Sequence, residues 1–181
     1  MKKNLLLCLL IFALAACNNS GQKGKTTAKA DTETLASTAP VFTIDSLLAQ
    51  AEQFVGKPVR VAGHVTHTCK HSGRRCFIVN DSKDLSIRVE AKGKIGGFNR
   101  ELIGSTIDVE GILRERRYST DDIDNLQKAI DEKRVKNDGS EELCNAETAN
   151  VRRMRNWMKE RGKDYYATYY IDGQDYREVG E

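Results

Sequence analysis

The chain has 181 residues, with 29 Lys and Arg against 26 Asp and Glu, a formal net charge of +3, and five cysteines. So balanced a charge excludes a polyanion partner held by global attraction and leaves only the local placement of basic side chains to carry such a role. The stretch from Val41 to Glu181 is long enough for one domain with a real core, but not comfortably for two.

The N-terminus reads "MKKNLLLCLLIFALAAC": two lysines, an apolar run from Leu5 to Ala16, and small residues before Cys17. The run is too short to span a bilayer and has the form of a secretory signal. Leu14-Ala15-Ala16-Cys17 resembles the lipobox of bacterial lipoproteins. That resemblance implies a signal peptide over 1–16, cleavage before Cys17, and acylation of the Cys17 thiol and amine. One acyl chain holds a protein only marginally and several hold it firmly, so the expected partner is a membrane reached through the lipid anchor. The expected place is the bacterial cell envelope, at the periplasmic face of the outer membrane. Residues 18–25 contain no acidic sorting signal. Loss of Lys2 and Lys3 with the signal would take the net charge from +3 to +1. Residues 17–40 are rich in Ser, Thr, Ala and Lys, with almost no large apolar side chains, and read as a flexible tether.

From Val41 the pattern changes. "TIDSLLAQAEQFVG" spaces Ile44, Leu47, Leu48, Ala51 and Val55 by three and four, and predicts a short amphipathic helix capped by Thr43 or Asp45 and ended by Gly56. "VRVAGHVTHTC" alternates, with Val59, Val61, Gly63 and Val65 on one face of a strand. "CFIVND" predicts a second strand, "LSIRVEA" a third with Leu85, Ile87, Val89 and Ala91 together, and "STIDVEGILRERR" a fourth with Ile107, Val109, Gly111 and Leu113 inward. "GKIGGFNRELIG" connects the last two through a brief helical turn. The order carried by "GKPVRVAGHV", "FIVND", "LSIRVEA" and "GSTIDVEGIL" resembles the OB-fold barrel, in particular barrels of the anticodon-binding type, over residues 41–117. It is also similar to OB-type domains on exported bacterial lipoproteins. Glycines near strand middles suit the tight bends of so small a barrel. Nucleic-acid-binding barrels present aromatic rings for stacking, whereas residues 57–117 hold only Phe77 and Phe98. That scarcity, with export, argues against a nucleic-acid partner.

Residues 118–162 read as a helical hairpin. Ser119 or Thr120 caps a helix burying Ile123, Leu126, Ile130 and Val135; Ser140 caps a second, burying Leu143, Ala146 or Glu147, Val151, Met154 and Met158. Gly162 stops the second. Residues 163–181, with "YYATYYIDGQDYREV", read as a Tyr-rich strand or a hairpin turning at Asp172-Gly173. The expected fold is therefore α+β: a small closed OB-type barrel, preceded by a short helix and followed by a helical hairpin and a Tyr-rich β tail.

Between Glu52 and Asp81 there is no acidic residue, and "VTHTCKHSGRRC" concentrates donors and bases there. Unbroken alternation would set Val65, His67, Cys69 and His71 on one face. Three readings follow. Cys69 and Cys76 could form a disulfide stapling the hairpin, in an exported compartment that permits it, with Cys144 as an alternative partner. His67, Cys69, His71, Cys76 and Cys144 could instead supply the N and S donors of a Zn or Cu site. Or the segment is neither, and its bases form a ligand rim. No phosphate loop, Rossmann fingerprint, haem-attachment motif or catalytic constellation is present, so the chain is expected not to be an enzyme. The leading expectation is binding without a cofactor: Arg60, His64, Lys70, His71, Arg74 and Arg75 would face an anionic small molecule, with Arg forks gripping phosphate or carboxylate and histidines raising affinity as the pH falls towards about 6. The alternatives are metal or thiol-redox handling, and an envelope protein partner held by the C-terminal helices and tail. Oligomeric state is left open.

Overall fold

The computed structural model describes residues 38–180, which lie in one compact unit, Ala36–Glu181. The expected signal peptide, Cys17 and the tether up to residue 37 lie outside the described residues.

The elements follow in order: β1 Val41–Phe42, α1 Ile44–Ala49, α2 Ala51–Phe54, β2 Pro58–Thr68, β3 Arg75–Val79, β4 Ser86–Ala91, β5 Thr106–Ser119, α3 Thr120–Val135, α4 Glu141–Arg161 and β6 Tyr165–Val179. Strands β2, β3 and β4 form an antiparallel meander; β6 joins β4 in parallel and β5 antiparallel, and β5 pairs back to β2. That closes a five-stranded OB-like barrel. Closure pairs the strands on both sides around the barrel, while β6 runs on past its ladder with β4. The short β1 lies parallel to β2 at Val41↔Arg60 and Phe42↔Val61.

The barrel does not end at residue 117. Its fifth strand is the Tyr-rich tail, one continuous strand with no turn at Asp172-Gly173. The helical hairpin is thus an insertion between the last two barrel strands. β5 also runs on to Ser119, further than its apolar alternation reaches, because β6 accompanies it throughout.

The interior is filled by the inward face of the alternation. Val59, Val61, Val65, Ile78, Ile87 and Leu113 are buried there, with Ile171 from β6. Burying each such side chain contributes about 1.5–3 kcal/mol. Leu85 departs from its expected inward place: it precedes β4 and is exposed. The first helix is split at Gln50 into α1 and α2, with Thr43 as N-cap accepting from Ser46 N.

The hairpin has its own small core of Ile123, Ile130, Cys144, Val151 and Met154, against Tyr118, Met158 and Tyr166. Ser119 and Ser140 cap the two helices, and Gly162, at φ 59°, ends the second in the left-handed region. The buried stripe of α4 begins at Cys144, with Leu143 exposed, and Leu126 and Val135 of α3 are exposed too. Only one face of each helix meets a neighbour, which is narrower than the apolar spacing implied.

Candidate functional site

Barrel register sets one line of side chains across the outer surface. His67 of β2 pairs with Phe77 of β3, Phe77 with Arg88 of β4, Arg88 with Tyr170 of β6, and Tyr170 with Arg114 of β5. Paired positions share a face, so two rings, an arginine, a ring and an arginine stand side by side over five strands. The His67 and Phe77 rings are 6.0 Å apart, and the Arg88 guanidinium lies 4.7 Å from the Tyr170 ring centroid. The next line holds Arg75, Glu90 and Asp172. Glu90 Oε1 is 3.2 Å from Arg75 Nε and 3.1 Å from Arg88 Nε, and Arg114 Nε donates to Asp172 at 2.8 Å. Arg88 Nε makes no hydrogen bond among the described residues: its contact with Glu90 is ionic only.

At the Arg75 end of these rows lies the β2–β3 connection, Cys69 to Arg74. Its backbone is pinned, with Cys69 N donating to Arg75 O, Gly73 N to Cys69 O and Phe98 N to Gly73 O at 2.9, 3.0 and 2.7 Å. Gly73 sits at φ 60°, a conformation glycine adopts without strain. Lys70, His71 and Arg74 are exposed on it, and their side chains have no hydrogen bond or ion pair among the described residues. The rows and the adjoining loop thus carry five cations, Lys70, Arg74, Arg75, Arg88 and Arg114, and two carboxylates, Glu90 and Asp172; only Arg75, Arg88 and Arg114 pair with those carboxylates.

The other expected ligand residues are placed differently. Arg60 Nε donates to both oxygens of Asp108, at 2.9 and 3.0 Å, and the Arg177 guanidinium reaches the same carboxylate at 2.8 Å. Arg60 is thus a strut between β2 and β5 rather than a free anion receptor. His64 is held between Thr106 Oγ1 at 2.8 Å and Asp81 Oδ1 at 3.2 Å. Burial alone would raise the Asp108 pKa, but the hydrogen bonds and charges of Arg60 and Arg177 outweigh it and hold the carboxyl below its ordinary range. A group so lowered stabilises the fold fully above the unfolded carboxylate pKa and loses that contribution as the pH falls below about 4. Asp108→Asn is expected to lower stability at neutral pH by about 2 kcal/mol. The variant should also flatten the loss of urea midpoint below about pH 4; a parallel acid limb would assign the lability elsewhere.

The stapled turn is corrected by a bulge. Register shifts between Val65 and His67, leaving Thr66 as the extra residue, so His67 pairs with Phe77 rather than Ile78 and points outward while Thr68 turns inward. Cys76 therefore opposes Thr68, not Cys69. Cys69, Cys76 and Cys144 are free thiols. Thr68 Oγ1 is buried without a partner, a cost of the flipped register. Cys76 lies in the barrel core, where burial pushes its thiol up to about 12. Cys144 lies in the separate hairpin core. Cys69 is half-buried; hydrogen bonds from the Ser72 hydroxyl and the Ser72 and His71 backbones hold its thiol below the usual value. The five expected metal donors are thus not gathered, and the described residues contain no group of three or more His, Cys, Asp or Glu placed to hold a metal ion.

Arg88, Tyr170 and Arg114 escaped the sequence reading. Arg88 and Arg114 were visible as outward positions of alternating strands, but Tyr170 reaches the face only through the β4–β6 pairing.

No protein-family model matches the chain. No curated protein matches it either. Among solved structures, the chain is similar to one described as an aspartyl-tRNA synthetase from Leishmania major Friedlin, at 19% identity and a TM-score of 0.31. The likeness covers 49% of this chain and 18% of that one, so this chain spans less than a fifth of that protein's length.

Proposed function

We propose that this chain is a non-catalytic binding module of a bacterial envelope lipoprotein, anchored through Cys17, whose barrel holds an anionic sugar ligand, the apolar face of its ring laid on an aromatic side chain. The observation that supports the reading most is the single ladder row His67, Phe77, Arg88, Tyr170 and Arg114, with the free cations of Lys70 and Arg74 at one end. Rings beside guanidinium groups offer stacking and charge on one surface. OB-type barrels bind oligonucleotides and oligosaccharides on this strand face and its bordering loops. A ring would lie on Phe77 and His67 while phosphate or carboxylate reaches Lys70 and Arg74. Phe98 is buried in the core, but Tyr170 and His67 join Phe77 on the face, so aromatic scarcity no longer weighs against a nucleic-acid partner. Export still does.

The test is titration of the chain with sugar phosphates, uronic-acid oligosaccharides and a short oligothymidylate. One of the two anionic sugar classes should bind, and Phe77→Ala should weaken it about tenfold, as loss of one stacked ring does. Replacing Lys70 and Arg74 by alanine should weaken it further and reduce its salt dependence. Preference for oligothymidylate would replace the envelope-ligand reading with a nucleic-acid one. Binding that Phe77→Ala leaves untouched would remove the face from consideration.

A further inference from the structure

β6 is paired with β5 along its whole length, from Ser119↔Tyr165 to Thr106↔Val179, but its ladder with β4 begins only at Arg88↔Tyr170. From Tyr165 to Thr168 it has a strand neighbour on one side alone. The cause is local. Leu85 N donates to Asn80 Oδ1 at 3.1 Å and Leu85 O accepts from Asn80 N at 3.2 Å, which turns the chain before β4 back on itself instead of along β6. Asn80 is itself buried, and its amide is engaged by Asp45 and Asp84 at 2.9 and 2.8 Å. The gap is therefore built into the fold rather than left by a frayed end.

A groove of about 610 Å³ runs along this gap, within the size range of specific ligand sites. Four consecutive residues of β6, Tyr166 to Tyr169, line it. Successive strand side chains point to opposite faces, so a run of four lines a groove only when the strand edge itself is on view. Residues 48–53 of α1 and α2 also line it, and Leu85 and Trp157 contribute apolar surface. Trp157 is half-buried, edge-on to Tyr166 at 5.3 Å, with the Arg161 guanidinium 4.8 Å from its ring.

We propose that this groove receives an extended peptide segment of a partner protein, added as a strand to the free edge of β6. Unpaired strand edges are templates for another strand, and strand addition takes its affinity from main-chain bonds and its specificity from alternate side chains. Here those alternate side chains would be aromatic or aliphatic, set against Trp157 and Leu85. The segment would be neutral, because Glu52 is already engaged by Lys163 at 3.0 Å and Arg161 is committed to the indole face. This chain's own residues 18–37 do not suit the groove, since Leu35 is their only large apolar side chain. A groove this small takes a few residues of one strand rather than the edge of a second barrel. The proposal does not depend on the outer-face ligand, and Phe77→Ala should leave it intact.

The test uses the full chain and a set of capped pentapeptides alternating threonine with Leu, Phe or Val. Trp157 is the only tryptophan, so its emission reports the groove directly. A member of the set should shift that emission and slow amide exchange at some of residues 165–168. N-methylation of its central amides should weaken binding about five- to tenfold. Leu85→Glu, at an exposed site outside the core, should weaken it comparably without moving the melting temperature. Absence of any emission shift, or binding indifferent to N-methylation, would overturn the proposal. So would tighter peptide binding after deletion of residues 18–35, which would make the groove a seat for the chain's own segment. Concentration-dependent dimerisation abolished by Leu85→Glu would make the occupant a second copy and overturn it equally.

Discussion

A chain ending at Gly162 is expected to show no cooperative unfolding transition. β4 and β5 are not paired with each other, and β6 is what joins them, through fourteen residue pairs with β5 and four with β4. Removing it opens the barrel and strips Ile171 and Ala167 from buried positions and Tyr169 and Tyr176 from the edge of the core. Loss of a buried aliphatic such as Ile171 alone costs about 2–5 kcal/mol, against a typical net stability of about 5–15 kcal/mol. The lost ladders and two newly open strand edges exceed what remains. Deleting the helices should behave oppositely. Ser119 and Tyr165 are directly paired, so replacing residues 120–164 with a two-residue Asn-Gly turn would join β5 to β6 as an ordinary hairpin. Urea unfolding followed by circular dichroism checks both. A cooperative transition in the chain ending at Gly162, or none in the helix-deleted chain, would refute the insertion account. The tail therefore cannot be removed to isolate a partner-binding surface from a ligand-binding barrel.

What could be read in advance follows the range of the interactions. Val59, Val61 and Val65 announce β2 because alternation is local, and Ser119, Ser140 and Gly162 announce helix ends because caps satisfy backbone groups within a turn. The Thr66 bulge left no such mark: nothing in "GHVTHTC" shows where one residue is added, yet that residue decides whether His67 points out beside Phe77 or inward. Cys69 and Cys76 consequently looked like partners and are not. Closure by β6 was hidden for a different reason. Its partner β5 is separated from it by the hairpin, and a pairing at that separation depends on the whole barrel rather than on local pattern. The aromatic row shares that fate, since Tyr170 arrives with β6. In α4, apolar side chains at Leu143 and at Cys144 allowed two stripes one residue apart, and packing on α3 selected the stripe through Cys144.

Gly111→Ala is expected to destabilise the fold by about 3 kcal/mol, at the upper end of overpacking costs. Gly111 lies on the register shift of β5 and opposes Gly173 of β6. A methyl group there would meet the Asp172 carbonyl oxygen, Ile171 Cγ2 at 2.5 Å and Gly173 Cα at 2.9 Å. Two of those three atoms are backbone and cannot turn away as a side-chain end can, so relief requires parting β5 from β6 where the barrel closes. The same substitution at Gly96 meets nothing within 4 Å, and its φ lies outside the left-handed region. There the alanine acts mainly by restricting the unfolded chain, which stabilises by about 0.4–1 kcal/mol. One chemical change thus takes opposite signs at two glycines fifteen positions apart, and the sign depends on whether a strand already fills the space. Urea midpoints of the two variants against the parent chain measure it. Equal midpoints for Gly111→Ala and the parent would mean that β5 and β6 do not approach at Gly111, and the closed barrel would have to be abandoned at its tightest seam.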